Sequence, residues 1–100
     1  MRINVIGKQF EITDPIREHA EHKSEKLDTY MDMIQQIDFL IWKENDNIED
    51  FSVEIAVDVE HHDDFIAKTH GADLYGVIDE AIHKVDRQLR DHREKLKVKR

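Results

Sequence analysis

Arg90, Arg93 and Lys97 recur at i, i+3 and i+7, the spacing that lines side chains along one flank of an α-helix. A row of cations so placed suits one chemistry above others, the neutralisation of phosphate oxygens along a nucleic acid. Lys84 and Lys95 project from the other flank of the same stretch and Arg87 lies opposite its apolar stripe, so the final turns are basic almost all round. Lys23 and Lys26, with His19 and His22 near them, lie on the flank of an earlier helix. A groove or ridge shared by the two helices would gather both sets.

These cations belong to a chain of 100 residues with a formal net charge of -8. Residues 1–83 hold 7 Lys/Arg against 20 Asp/Glu, net -13, whereas residues 84–100 hold 8 against 3, net +5. Cations at a helix C-terminus complement the macrodipole, but that accounts for two or three of them, not eight. Charge alone leaves two readings open: a surface for a polyanion, and a solvated helix end.

Other side chains that could do chemistry read more plainly. His61, His62, Asp63 and Asp64 are metal-type ligands, but neighbours in a turn rarely converge on one ion, so they read as a polar turn and no metal is assigned. His92 falls on the apolar flank of the second helix and reads as a packed, hydrogen-bonded core-edge histidine. Tyr30 and Tyr75 fit core packing, while Trp42 fits either packing or base stacking. There is no P-loop, dinucleotide fingerprint, nucleophile elbow or zinc-protease motif, so neither an enzyme, a cofactor nor a small-molecule substrate is expected. The absence of cysteine excludes disulfides and thiolate metal sites and suits a reducing compartment. No run approaches the roughly 20 apolar residues of a membrane span, and no signal segment opens the chain, so a cytoplasmic location is expected.

The elements that must position these residues are legible in the periodicity. Arg2 to Ile6 alternates and ends at Gly7 as a first strand. Asp14 followed by Pro15 predicts a helix start, with Asp14 as cap, and Ile16, Ala20, Leu27, Met31 and Ile34 recur as one stripe of a helix ending near Met31 to Met33. Ile37 to Trp42 predicts an inner strand, and Phe51 to Glu60 alternates most clearly of all. Phe65 to His70 predicts a fourth strand closing at Gly71. Asp73 then caps a long helix whose stripe is Leu74, Ile78, Ala81, Ile82, Val85, Leu89 and Leu96. The expected architecture is α+β, order β-α-β-β-β-α, a four-stranded sheet with two helices on one face, in a single domain over residues 1–100.

Two stretches carry a family resemblance. ITDPIREHAEHKSEKLDTYM, Ile12 to Met31, holds the Lys23/Lys26 pair before Leu27 and Tyr30. GADLYGVIDEAIHKVDRQLRDHREKLK, Gly71 to Lys97, holds D-L-Y-x-x-I-D-x-A-I followed by Lys84, Arg87, Gln88 and Leu89. Together they resemble the ribosome hibernation promoting factors, also called ribosome-associated inhibitors, over nearly the whole chain. The resemblance implies a β-α-β-β-β-α fold and a stress factor that reversibly silences translation by binding the small ribosomal subunit in the channel of messenger and transfer RNA. It implies ribosomal RNA contacts at Lys23, Lys26, Lys84, Arg87, Arg93, Lys95 and Lys97, to which the charge pattern adds Arg90. Asp91 departs from it, standing where close relatives often carry lysine. Because the sequence stops at Arg100, it resembles a short form without the C-terminal domain that pairs ribosomes. Such forms either block single ribosomes or act with a separate ribosome-dimerisation factor.

The competing reading is an interaction module that binds a basic protein through an acidic sheet face bearing Glu54, Asp58 and Glu60, its helix end being only solubilising.

Overall fold

The strand alternation read above becomes a sheet with one dry and one wet face. The computed structural model describes residues 2–45 and 48–98, with the backbone alone at Lys97 and Val98. Strands β1 (Arg2–Gly7), β2 (Ile34–Lys43), β3 (Phe51–Val59) and β4 (Phe65–Gly71) lie side by side in that order. β1 and β2 are parallel, joined by a crossover through α1 (Asp14–Lys23), and the remaining pairs are antiparallel. Helix α2 (Leu74–Val98) closes the chain order, giving the α+β architecture that the sequence predicts.

Register places Val5, Phe39, Ile55 and Ala67 in one row across the dry face, with Ile37 and Val57 in the next. Ile78, Ala81, Ile82, Val85 and Leu89 of α2 cover them, all inaccessible to solvent. Helical periodicity on one side and strand alternation on the other thus meet in one core.

Four expectations need correction. Thr13, not Asp14, precedes the helix; its carbonyl accepts from Arg17 N at 3.0 Å, leaving Asp14 and Pro15 within the first turn, where a missing N–H costs nothing. The first helix does not run on to Met31 but tightens at Ser24 into a 3₁₀ helix, Ser24–Tyr30. Ser24 is fully buried and its hydroxyl donates to the Ala20 carbonyl at 2.7 Å; Ser24, Leu27 and Tyr30 then bury every third residue, the repeat of a 3₁₀ turn. Met31 is consequently 44% exposed, and Ile34 opens β2, with an irregularity before Gln36. Tyr75 lies on the surface, packed edge-on against His19 with ring centroids 4.7 Å apart, while Tyr30 is buried as expected.

The fourth correction concerns Leu96, which is 52% exposed and not in the core. At about 1.5 Å per residue, a helix of 25 residues is roughly 37 Å long. The strands beneath are shorter, roughly 33 Å for the 10 residues of β2 and roughly 30 Å for the 9 of β3, and among the described residues the last fully buried position is Leu89. The final turns project past the sheet. No helix among the described residues is long and apolar enough to cross a membrane.

Candidate nucleic-acid interface

Because the core stripe fixes the rotation of α2, its two flanks meet different neighbours. One flank faces α1 and the 3₁₀ helix. There His19 Nε2 donates to Asp79 Oδ1 at 2.8 Å. Farther along, Arg93 Nη1 donates to the Thr29 carbonyl at 2.9 Å and Nη2 to Asp32 Oδ1 at 2.5 Å. The same guanidinium lies 5.3 Å from the centre of the Tyr30 ring. Burial, aided by Asp86, raises the Tyr30 hydroxyl pKa, while Arg90 and Arg93 oppose the rise.

Arg93 therefore braces α2 against the 3₁₀ helix, whatever else it touches. Replacing it by alanine should lower stability by about 1–2 kcal/mol, the worth of two charge-assisted hydrogen bonds and a cation–π contact at a part-exposed site. A reduced urea midpoint with unchanged slope is the expected observation.

The other flank of α2 lies over the free edge of β4. Gln88 Nε2 donates to the Ile66 carbonyl at 3.1 Å and Lys84 Nζ to the Lys68 carbonyl at 3.4 Å, while Lys84 also pairs with Glu80 at 3.8 Å. These side chains occupy carbonyls that would otherwise invite another strand. Beyond them, the His62 ring stacks on Phe65 at 4.4 Å, and His92 meets both rings, at 4.6 Å and 5.3 Å. His92 is thus the packed edge residue that its position on the apolar flank predicts, held among the described residues by ring contacts and not by a hydrogen bond, and His62 of the polar turn joins it. Asp91 and Lys95 border the same corner.

Burial first, then His62 and Lys95, hold the His92 pKa below the ordinary 6.5. A folded-state pKa below the unfolded one means that folding opposes protonation, so stability should fall as pH drops through about 6.5 and level off below the folded value. His92→Phe should flatten that dependence in urea unfolding between about pH 7.5 and 5.

The remaining cations have no such employment. Lys26, Arg87, Arg90 and Lys95 are exposed and Lys23 is half-buried. Among the described residues, none of the five has a hydrogen-bond or ion-pair partner. The Lys97 side chain lies outside the described residues. The two sets meet as an outer surface of the helix layer, since His19, Asp79, Tyr30 and Arg93 fill the seam between its halves. Sequence spacing distinguishes neither Arg93 from Arg90 nor Lys84 from Lys95; their partners Thr29, Asp32 and Lys68 carry no signal of the pairing. Among the described residues no group of three or more His, Asp or Glu could hold a metal ion.

Fold and surface define a β-α-β-β-β-α fold whose helix layer carries exposed cations among carboxylates and whose open sheet face carries Asp38, Glu54 and Asp58. The chain belongs to the Sigma 54 modulation protein / S30EA ribosomal protein family, whose model matches residues 3–97. It is 34% identical over 98 residues to the ribosome hibernation promoting factor of Escherichia coli strain K12, covering 97% of this chain and 98% of that one. The ribosome hibernation promotion factor of Bacillus subtilis strain 168 is 29% identical over 99% of this chain, which spans 52% of that longer protein. Among solved structures, the Thermus thermophilus Protein Y N-terminal domain superposes with a TM-score of 0.80 at 30% identity, covering 92% of this chain and 99% of that one. A ribosomal subunit interface protein from Coxiella burnetii has the same fold, with a TM-score of 0.83 at 23% identity over 94% of this chain and 99% of that one.

Proposed function

We propose that this protein is a hibernation factor that binds the small ribosomal subunit in the channel of messenger and transfer RNA, its helix layer against ribosomal RNA. The observation that carries the reading is a set of five cations on the helix layer, Lys23, Lys26, Arg87, Arg90 and Lys95, that have no partner among the described residues of a chain whose net charge is -8. Such cations keep their full value for phosphate, because no internal carboxylate must be abandoned to bind it. Lys84 and Arg93 border this surface and hold it in shape, with donor hydrogens left for RNA. The names of the relatives supply the partner, and the acidic sheet opposes any docking of the other face on RNA. Occupying the channel excludes messenger and transfer RNA without any covalent step.

Sucrose gradients of ribosomes with and without the protein, at two salt concentrations, test this. About five phosphate contacts predict an affinity loss of 10²–10³ between roughly 50 and 200 mM monovalent salt. Co-sedimentation with small subunits that is indifferent to salt would sink the reading. The same gradients show whether ribosomes are held singly or paired.

A further inference from the structure

The wet face of the sheet carries a feature that RNA binding by the helices does not use. Register sets Ile6 opposite Leu40 and Ala56 opposite Ile66, with Leu40 diagonal to Ala56. Four apolar side chains thus cross the sheet from edge to edge as one diagonal band, its two ends, Ile6 and Ile66, 54% and 51% exposed.

Carboxylates flank the band on both sides, and neutral groups hold two of them, Asp38 and Glu44. Asp38 accepts from Asn4 at 2.9 Å and from Gln36 at 3.0 Å. Glu44 accepts from the Trp42 indole at 2.7 Å and the Ser52 hydroxyl at 3.0 Å, bonds that lower its pKa. Asp58 has no hydrogen-bond or ion-pair partner among the described residues. Glu54 alone of the four is ion-paired with a lysine, Lys68 at 3.7 Å, and His70 and Lys68 also act on Glu44 at longer range. Amide, indole and hydroxyl donors orient Asp38 and Glu44 without cancelling their charge, and four carboxylates against Lys68 and the exposed Arg2 leave the face negative.

We infer that this open sheet face is a docking surface for a basic protein segment, which lays apolar side chains along the Ile6–Leu40–Ala56–Ile66 band and its lysines or arginines against Asp38, Asp58 and Glu44. Charge complementarity selects that occupant. A second copy would oppose like charges on the same face, as would RNA or an anionic membrane. An extended segment of about seven residues, roughly 23 Å, suffices to cross four strands spaced about 4.8 Å apart with their side chains. The inference stands apart from the RNA-channel reading, because it concerns the opposite side of the sheet and is tested without ribosomes.

The test titrates the full ¹⁵N-labelled chain, at low salt, with a short end-capped synthetic peptide holding two arginines to each leucine. Amide shifts should concentrate at Leu40, Ala56 and Ile66 and at the indole of Trp42, the only tryptophan. Affinity should fall about tenfold in the double variant Asp38→Asn/Asp58→Asn and stay unchanged in Glu94→Gln, which removes an exposed carboxylate from α2 and not from the sheet face. The spectrum of each variant reports its fold, and Asp58→Asn alone, expected to lose about threefold, replaces the double variant should that one unfold. The inference is overturned by shifts confined to the helices, by equal affinity in the carboxylate variants, or by concentration-dependent broadening of the face from self-association. It is also overturned if an RNA oligonucleotide shifts the same strand residues.

Discussion

With Lys26, Arg87 and Arg90 replaced together by glutamate, the protein should no longer co-sediment with small ribosomal subunits under conditions where the parent chain does. These three are chosen because they are exposed and have no partner among the described residues, so their loss removes no contact seen in the fold. At 0.1 M salt, each phosphate contact contributes about 0.9 log unit of affinity relative to 1 M, so three lost contacts alone cost roughly 500-fold. Reversal adds repulsion and should carry the loss to 10³ or beyond. The slope of log affinity against log salt should shrink from about 4–5 to 1–2, a change that a merely destabilised protein would not show. Arg93→Glu would be a poorer test, since it also cuts the tie to Thr29 and Asp32. Undiminished co-sedimentation of the triple variant, with its fold intact by circular dichroism, would overturn the proposed orientation.

What the sequence discloses and what it hides follow from the range of each interaction. β3 is legible because Val53, Ile55 and Val57 alternate with Glu54 and Ala56, and the core stripe of α2 is legible up to Leu89 for the equivalent helical reason. Leu96 obeys the same period and fails, because periodicity says which side of a helix is apolar and not how far the opposing body extends. The 3₁₀ turn escapes notice because its first buried residue, Ser24, is polar in composition and buried only through its bond to Ala20. Arg90 and Arg93 look alike along the chain; only the fold brings Thr29 and Asp32, more than 60 residues away, to one of them. The diagonal band needs register across all four strands before Ile6 and Ile66 belong to one surface.

A charge split that looks paradoxical in a chain of net -8 thus has a layered cause. The sheet has a single covered face, so cations borne on the flanks and outer side of the helices are separated by the whole core from carboxylates on the open face. Lys26, Arg87 and Arg90 on the helices and the carboxylates of the open face can then act without neutralising each other, since about 10 Å, the thickness of a packed layer, already matches the Debye length at 0.1 M salt. Lys84 and Gln88 keep the β4 edge from becoming a third contact surface by holding the Lys68 and Ile66 carbonyls.

Both surfaces depend on one small residue. Gly7→Ala should destabilise the fold by about 3 kcal/mol, read as a urea midpoint lower by roughly 2 M. The residue's φ is not left-handed; space is what requires glycine here. A Cβ added to Gly7 would overlap the Phe10 carbonyl oxygen and approach its carbon to 2.9 Å and Ile12 Cγ1 to 3.2 Å. Backbone cannot swing aside as a side chain can. The turn is held from both ends, by Lys8 N donating to the Ile41 carbonyl at 2.9 Å and by the Phe10 ring packed edge-on against Phe51 at 5.9 Å, with Gln9 already at φ 50°. Relief must come from shifting the end of β1, which carries Ile6 and begins the path to α1. Gly76→Ala provides the contrast: within α2, the nearest atoms to its Cβ would be those of the Asp73 side chain, the carboxylate oxygen at 3.1 Å, which needs to give by only a few tenths of an ångström. Removing a helical glycine should then leave stability unchanged or raise it by up to about 1 kcal/mol. Opposite signs at the two positions, in matched urea titrations, are the expected result; equal losses would mean that close packing at the β1 turn is not what glycine serves.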